Sequence, residues 1–213
     1  MVVQSMSTKE LIKEIFSDYE IVVRKAYYLS LGMRREVVKS KTKHVRKVFD
    51  YKSNKYNKWI ILIDHNLKNP IFYAAIYYFD QYGFNAIRVN SDLRSLTHFT
   101  PHFLERYNER FLNHLNLSKV DLLKRFIGEN PFDAVRYFPQ EVPSKNRIFC
   151  RFHEGIGLGD EELFGDVRKG ILHLRTYITN EMIHEGQLND FASLGSLYEN
   201  HLNGSLKNHS KRA

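Results

Sequence analysis

The stretch Leu96-Thr-His-Phe-Thr-Pro-His-Phe-Leu-Glu-Arg-Tyr-Asn-Glu-Arg110 decides how this chain is read. Proline suits the first turn of a helix, where its missing N–H would have no partner anyway, and Thr100 just before Pro101 can cap the open amides. A helix starting there turns by about 100° per residue and gathers His102, Glu105, Arg106, Glu109, Arg110 and Asn113 on one polar arc. Phe103, Leu104, Tyr107, Phe111 and Leu115 form the opposite, buried stripe. Two readings fit the arc. A histidine beside two arginines can do acid–base work next to a phosphate. The same spacing also makes a plain amphipathic helix laced by i, i+4 ion pairs.

Moving outward, Ser118 with Asp121 at its third position opens a second helix over Ser118 to Ile127, which Gly128 and Pro131 stop. On the N-terminal side, Lys58 to Asp64, Pro70 to Asp80 and Phe84 to Asn90 are β-branched and aromatic, separated by turn-rich pieces including Gln81-Tyr-Gly83. They predict an antiparallel meander. Before them, Arg34, Arg35, Lys39, Lys41, Lys43, Arg46, Lys47, Lys52, Lys55 and Lys58 meet only Glu36 and Asp50, with Tyr51 and Tyr56 interleaved. Lysines can hold phosphates while tyrosines stack bases, and the same run can be a hairpin edge guarded by lysines. Leu11, Ile12, Ile15, Phe16, Tyr19, Val22, Val23, Ala26 and Tyr27 recur at helical spacing and predict a packing helix over Thr8 to Leu31.

Toward the C-terminus, Val135 to Phe138, Arg147 to His153 and Ile171 to Thr179 read as strands. Gly155-Ile-Gly-Leu-Gly159 lacks the Gly-Lys-Ser/Thr ending of a phosphate loop and reads as a hairpin turn. Leu188 to Leu202 predicts a closing helix, and residues 203–213 a frayed tail. Alternation sets Leu172, Leu174, Thr176 and Ile178 on one face of the last strand and His173, Arg175, Tyr177 and Thr179 on the other. In the preceding strand Ile148, Cys150 and Phe152 face the core, opposite Arg147, Phe149, Arg151 and His153. If the two strands pair, one sheet face presents a cationic, histidine-bearing surface. A merely solvated face fits the same alternation.

Composition narrows the class. The 213 residues are 43% hydrophobic and 14% aromatic, enough for a sizeable core, and 32 Lys+Arg against 24 Asp+Glu give a formal charge of +8. The excess favours polyanionic partners, nucleic acid before membrane. Cys150 is the sole cysteine, which excludes an internal disulfide and a thiolate zinc set. The first residues lack the apolar run of a secretory leader and no segment is long enough to span a bilayer, so a reducing cytoplasm is the expected address.

Other chemistries find less footing. His98 and His102, with His114 or Glu105, could hold a divalent ion, but Pro101 separates the histidines and no His-Glu-x-x-His pattern occurs. A serine nucleophile has no Gly-x-Ser-x-Gly turn. Asp64 and Asp80 sit at strand ends, where aspartate before a turn is routine. No metal site and no cofactor are expected.

The His-x-x-x-Arg-x-x-x-Arg helix entered through Thr-His-Phe-Thr-Pro, the second helix at Ser118 and the meander ending Leu-Arg-Thr-Tyr-Ile-Thr179 together resemble the RelE-like and barnase-like toxin ribonuclease superfamily. The match is to small members with a helical His-Ala-x-x-Arg-x-x-x-Arg signature, covers about residues 96–180, and has Phe103 where the signature carries a small residue. It implies metal-independent RNA cleavage, in which a 2′-hydroxyl attacks the adjacent phosphate, and a cognate acidic inhibitor protein as partner. Carried over by motif position, His102 is acid or base, Arg106 and Arg110 hold phosphate, and Tyr177 and Thr179 supply a phenol and a hydroxyl. Strand alternation adds Arg175 and His173 as electrostatic candidates. Lys41, Lys43, Arg46, Lys47, Arg147, Arg151, His153 and His173 are the expected contacts to nucleic acid.

The expected architecture is α+β: an antiparallel meander with an N-terminal helix, a central helix pair and a C-terminal helix, the helices on one sheet face and a basic face opposite. Residues 1–95 would elaborate a core at 96–205, with a tail at 206–213, or all form one domain. The rival function is a non-catalytic nucleic-acid-binding or phage-type structural or assembly protein.

Overall fold

Trp59-Ile-Ile-Leu-Ile63 is apolar at every position, a pattern that demands cover on both faces of a strand, and each of these side chains is fully buried. The computed structural model describes residues 1–2, 6–40, 44–66, 70–90, 95–130, 134–137, 146–153, 155–164 and 169–182. The elements are α1 (Thr8–Ser40), β1 (His44–Lys52), β2 (Lys58–Asn66), β3 (Pro70–Asp80), β4 (Gly83–Val89) and β5 (Ser95–Phe99). They continue with α2 (Pro101–Arg110), α3 (Lys119–Glu129), β6 (Ala134–Tyr137), β7 (Asn146–Arg151), β8 (Gly155–Phe164), β9 (Lys169–Thr179) and a 3-10 turn at Asn180–Met182.

Among the described residues the strands form one nine-stranded sheet, ordered β1-β2-β3-β4-β5-β9-β8-β7-β6. Two antiparallel meanders, β1 to β5 and β6 to β9, are joined along a parallel seam where Ser95 to Phe99 pair with Gly170 to Leu174. A parallel pair cannot be closed by a hairpin, and the excursion through α2, α3 and β6 to β8 supplies the crossover. The α+β class and a mostly antiparallel sheet are thus present, but a single meander is not. The helix expected over Leu188 to Leu202 lies outside the described residues.

Helices cover both faces, contrary to the expected basic open face. On one side α2 and α3 pack Phe103, Leu104, Tyr107, Leu122, Leu123, Phe126 and Ile127 onto Ile60, Leu62, Phe99, Ile148 and Leu174. On the other, Ile15, Tyr19, Val22, Ala26 and Met33 of α1 pack onto Trp59, Ile61, Ile76, Ile87 and Ile171. The helix expected to end at Leu31 continues to Ser40, because Met33 and Val37 extend its buried stripe beneath a basic outer surface. Gly32 costs an exposed helix only about 1 kcal/mol. The basic run is therefore split between α1 and the edge strand β1, where Arg46 pairs with Asp64 at 2.6 Å and Lys47 with Glu36 at 2.5 Å. Lys41 and Lys43 lie outside the described residues.

The glycine-rich segment is a strand, β8, rather than a turn. A Cβ on Gly157 would come within 2.9 Å of Phe152 and 3.0 Å of Phe103, and one on Gly155 within 2.5 Å of the Tyr177 hydroxyl. Missing side chains on this face make room for the bulk of Phe103. Between β8 and β9 the register slips: Leu158 pairs with Thr176 but Gly159 with Leu174. Arg175 is the extra residue, and such a bulge reverses alternation beyond it. Tyr177 consequently shares the α2 face with Leu172 and Leu174, which corrects its expected place beside Arg175.

Candidate functional site

Thr100 fixes the relation between α2 and β9. Its Oγ1 accepts from the Phe103 N–H at 3.3 Å and donates to the Leu174 carbonyl at 2.9 Å, while its own N–H reaches the same carbonyl at 3.2 Å. The helix start is thereby tied to the strand just before the bulge. His102, on the first turn, and Arg175 at the bulge consequently line one open depression of about 390 Å³ together with Tyr82, Thr100, Pro101 and Glu105.

Beside it, Arg106 Nε donates to His102 Nε2 at 3.3 Å, which makes that nitrogen the acceptor. Arg106 also pairs with Glu109. Arg175 is held in a fork by Asp160, Nε to Oδ1 at 3.0 Å and Nη2 to Oδ2 at 2.9 Å, with its side chain 64% exposed. Glu105 is bridged to Lys119 at 2.9 Å. Three of the anticipated residues, His102, Arg106 and Arg175, are thus brought together at this end of the sheet.

The remaining candidates lie elsewhere. Arg110 Nη1 donates to the Tyr177 carbonyl at 2.7 Å, sealing the seam between α2 and β9. The Tyr177 ring is fully buried against Phe103 and Tyr107. Thr179 is buried, and its hydroxyl helps hold the Glu181 carboxyl below its ordinary range. The anticipated cationic sheet face is not formed, because β8 lies between β7 and β9 and interleaves Asp160 and Glu162. Arg147 is exposed opposite Asp160, Arg151 bonds the Asn180 side chain, and His153 is exposed in the turn with its N–H donating to Asn130 Oδ1 at 2.9 Å. Tyr56, 65% exposed, lies under Lys52, whereas Tyr51 packs against the α1 layer.

One cluster escaped the sequence reading. On the α1 side of the sheet, Asn85 Oδ1, His98, His173 and Glu162 form a chain: Asn85 to His98 Nε2 at 2.9 Å, His98 Nδ1 to His173 Nδ1 at 2.9 Å, and His173 Nε2 to Glu162 at 3.2 Å. The Asn85 amide donates to the Gly83 carbonyl at 3.1 Å, which turns Oδ1 toward His98 and leaves His98 Nδ1 as acceptor. Burial first, then His173 and Arg175, holds the His98 imidazole down at about 3. The two histidines border a cavity of about 220 Å³ with Tyr78 and Asp80 beneath the start of α1. Burial and the nearby Asp80 push the Tyr78 phenol up to about 12. Only the strand register makes His98 and His173 neighbours, and no local pattern in the sequence carries that.

Among the described residues no three His, Cys, Asp or Glu side chains are placed to share a metal ion, and no helix is long and apolar enough to cross a membrane. No family model matches the chain, and no characterised protein or solved structure is detectably similar to it.

Proposed function

We propose that this protein is a toxin-like, metal-independent endoribonuclease whose centre is the depression between α2 and the β9 bulge. The observation that carries the reading is the presence of His102, bonded by Arg106, and Arg175 around one open depression. Further support is the order of strand, helix pair and antiparallel meander over residues 95–179, the order implied by the resemblance.

In-line attack of a 2′-hydroxyl on phosphorus needs a base on one side and an acid on the other, with cations for the charge that builds on the phosphorane. Beside the Tyr82 phenol and the Arg175 guanidinium, the lining offers one imidazole, His102, and one carboxyl, Glu105, for the two proton transfers. Glu105 receives the 2′ proton. Arg106 turns from His102 Nε2 to the phosphate, that nitrogen takes up from solvent the proton it then delivers to the departing 5′-oxygen, and Glu105 returns the 2′ proton to solvent after cleavage. Arg175, its fork oriented by Asp160, balances the developing charge. The products are a 2′,3′-cyclic phosphate and a 5′-hydroxyl. Arg110 and Tyr177 position α2 on β9 in this scheme.

The test is incubation of labelled RNA with wild type and His102→Ala in EDTA. Cleavage by the wild type should fall by roughly a hundredfold or more in the variant; equal cleavage by both removes the role. The rival, a non-catalytic nucleic-acid-binding or assembly protein, draws on one observation: Arg106 and Arg175 already hold carboxylates. On that reading RNA binds, weakens steeply with salt, and stays intact.

A further inference from the structure

The β3–β4 turn rises over the rim of the depression with its backbone fixed. Asp80 Oδ1 accepts from the N–H groups of Tyr82 at 2.8 Å and Gly83 at 3.0 Å. Gly83 takes a φ of 127°, open to glycine and strained for other residues, and a Cβ there would come 3.3 Å from the Pro101 ring at the head of α2. The turn is therefore braced from within and against the helix that carries His102. The side chain at its tip is nonetheless in water: Tyr82 is 79% exposed and lines the depression beside His102 and Arg175. Phe79, at the end of β3, is 61% exposed and meets Phe84 edge-on at 5.1 Å.

An aromatic ring on a braced turn, beside a histidine and an arginine, matches the composition of a nucleotide: a π-face for the base, and an imidazole and a guanidinium for the phosphate. A base inside a duplex cannot present its face, so the fit is to an unpaired strand. We propose that Tyr82 is a stacking platform for one base of single-stranded RNA, seating the neighbouring phosphate between His102 and Arg175. The phosphate half of this geometry rests on the ribonuclease reading; the stacking half does not. The platform belongs to the N-terminal meander, outside the region that resembles the toxins, and gives that meander a part in substrate binding.

The experiment titrates the full chain, in EDTA, into a short fluorescent 2′-O-methyl RNA strand, which cannot undergo 2′ attack, and into an abasic strand of the same charge. Tyr82→Ala should weaken binding to the base-containing strand by about 5- to 100-fold, the range for losing one stacked base. Tyr82→Phe and Tyr82→Trp should bind as the wild type does, and on the abasic strand Tyr82→Ala should lose nothing further. Unchanged binding by Tyr82→Ala, an equal loss on the abasic strand, or an equal loss in Tyr82→Phe overturns the platform. Tyr82-dependent binding without cleavage of ordinary RNA leaves the platform in place and removes the ribonuclease. His102-dependent cleavage indifferent to Tyr82 does the reverse, and binding to neither strand removes the platform.

Discussion

Asp18 is fully buried, and its Oδ2 accepts from Ser53 Oγ at 2.7 Å, Asn57 Nδ2 at 2.8 Å and Trp59 Nε1 at 2.8 Å. One carboxylate thus clamps the middle of α1 to the hairpin between β1 and β2. Removing it strands buried donors, each costing about 1–3 kcal/mol. Asp18→Ala should destabilise the protein by roughly 2–4 kcal/mol in urea unfolding, and a loss below about 0.5 kcal/mol, the usual size of a surface effect, would contradict the clamp. His98 gives the fold a dependence on pH. Its imidazole is held at about 3 when folded against about 6.5 when unfolded, so the unfolded chain binds the extra proton. The stability this gives is fully present above pH 6.5 and is lost as pH falls from there toward 3, by about 1 kcal/mol per pH unit. In His98→Gln the slope between pH 6.5 and 4.5 should be shallower; an identical slope would show that His98 does not set it.

At the scale of elements, the α2 start shows how far local pattern reaches. Pro101, the Thr100 cap and the first part of the stripe, Phe103, Leu104 and Tyr107, were legible because capping and the 3.6-residue period are local, but the helix ends at Arg110 and leaves Leu115, expected in the stripe, exposed. Ser118 caps α3 as its sequence foretells, although the helix runs past Gly128 to Glu129 and ends at the buried Asn130. The β8 glycines and the Arg175 bulge were not legible. Glycine at alternate positions looks like a turn until Phe103 and Tyr177 are known to fill the space, and alternation carries no sign of where it reverses. The fit predicts coupling. Gly157→Ala should cost about 1–3 kcal/mol by crowding Phe103 and Phe152. Combined with Phe103→Leu it should cost less than the sum of the two single changes. Additive losses in thermal or urea unfolding would mean that the two positions do not share space. Thr100→Val should lose about 0.5–2 kcal/mol through the cap and lower RNA cleavage more than its stability loss explains, since the same hydroxyl ties His102's helix to β9. Cleavage that tracks stability alone would separate the tie from the site.

At the scale of the molecule, the parallel seam between β5 and β9 carries the sheet from the first meander into the second. The core beneath α2 and α3 draws on β2, β3 and β4 as well as β7 and β9, so neither half completes its apolar cover alone. Calorimetry should therefore show one unfolding transition with matching calorimetric and van't Hoff enthalpies; two resolved transitions would divide the chain near residue 95. The net charge of +8 is a property of the whole molecule, whereas the cationic sheet face expected from strand alternation is interrupted by Asp160, which pairs with Arg175, and the basic run on β1 is met by Asp64 and Glu36. Charge counts are read from composition; where carboxylates interleave depends on strand order, which composition does not encode. The proposed reaction is a 2′-hydroxyl attack carried out around His102 and Arg175. Its most direct measurement compares an RNA cut at a mapped position with the same strand bearing one 2′-deoxy residue there, in EDTA. The proposed chemistry predicts a 2′,3′-cyclic phosphate end on the first strand and no cut at that position on the second; cleavage of both alike, or of neither, would contradict it.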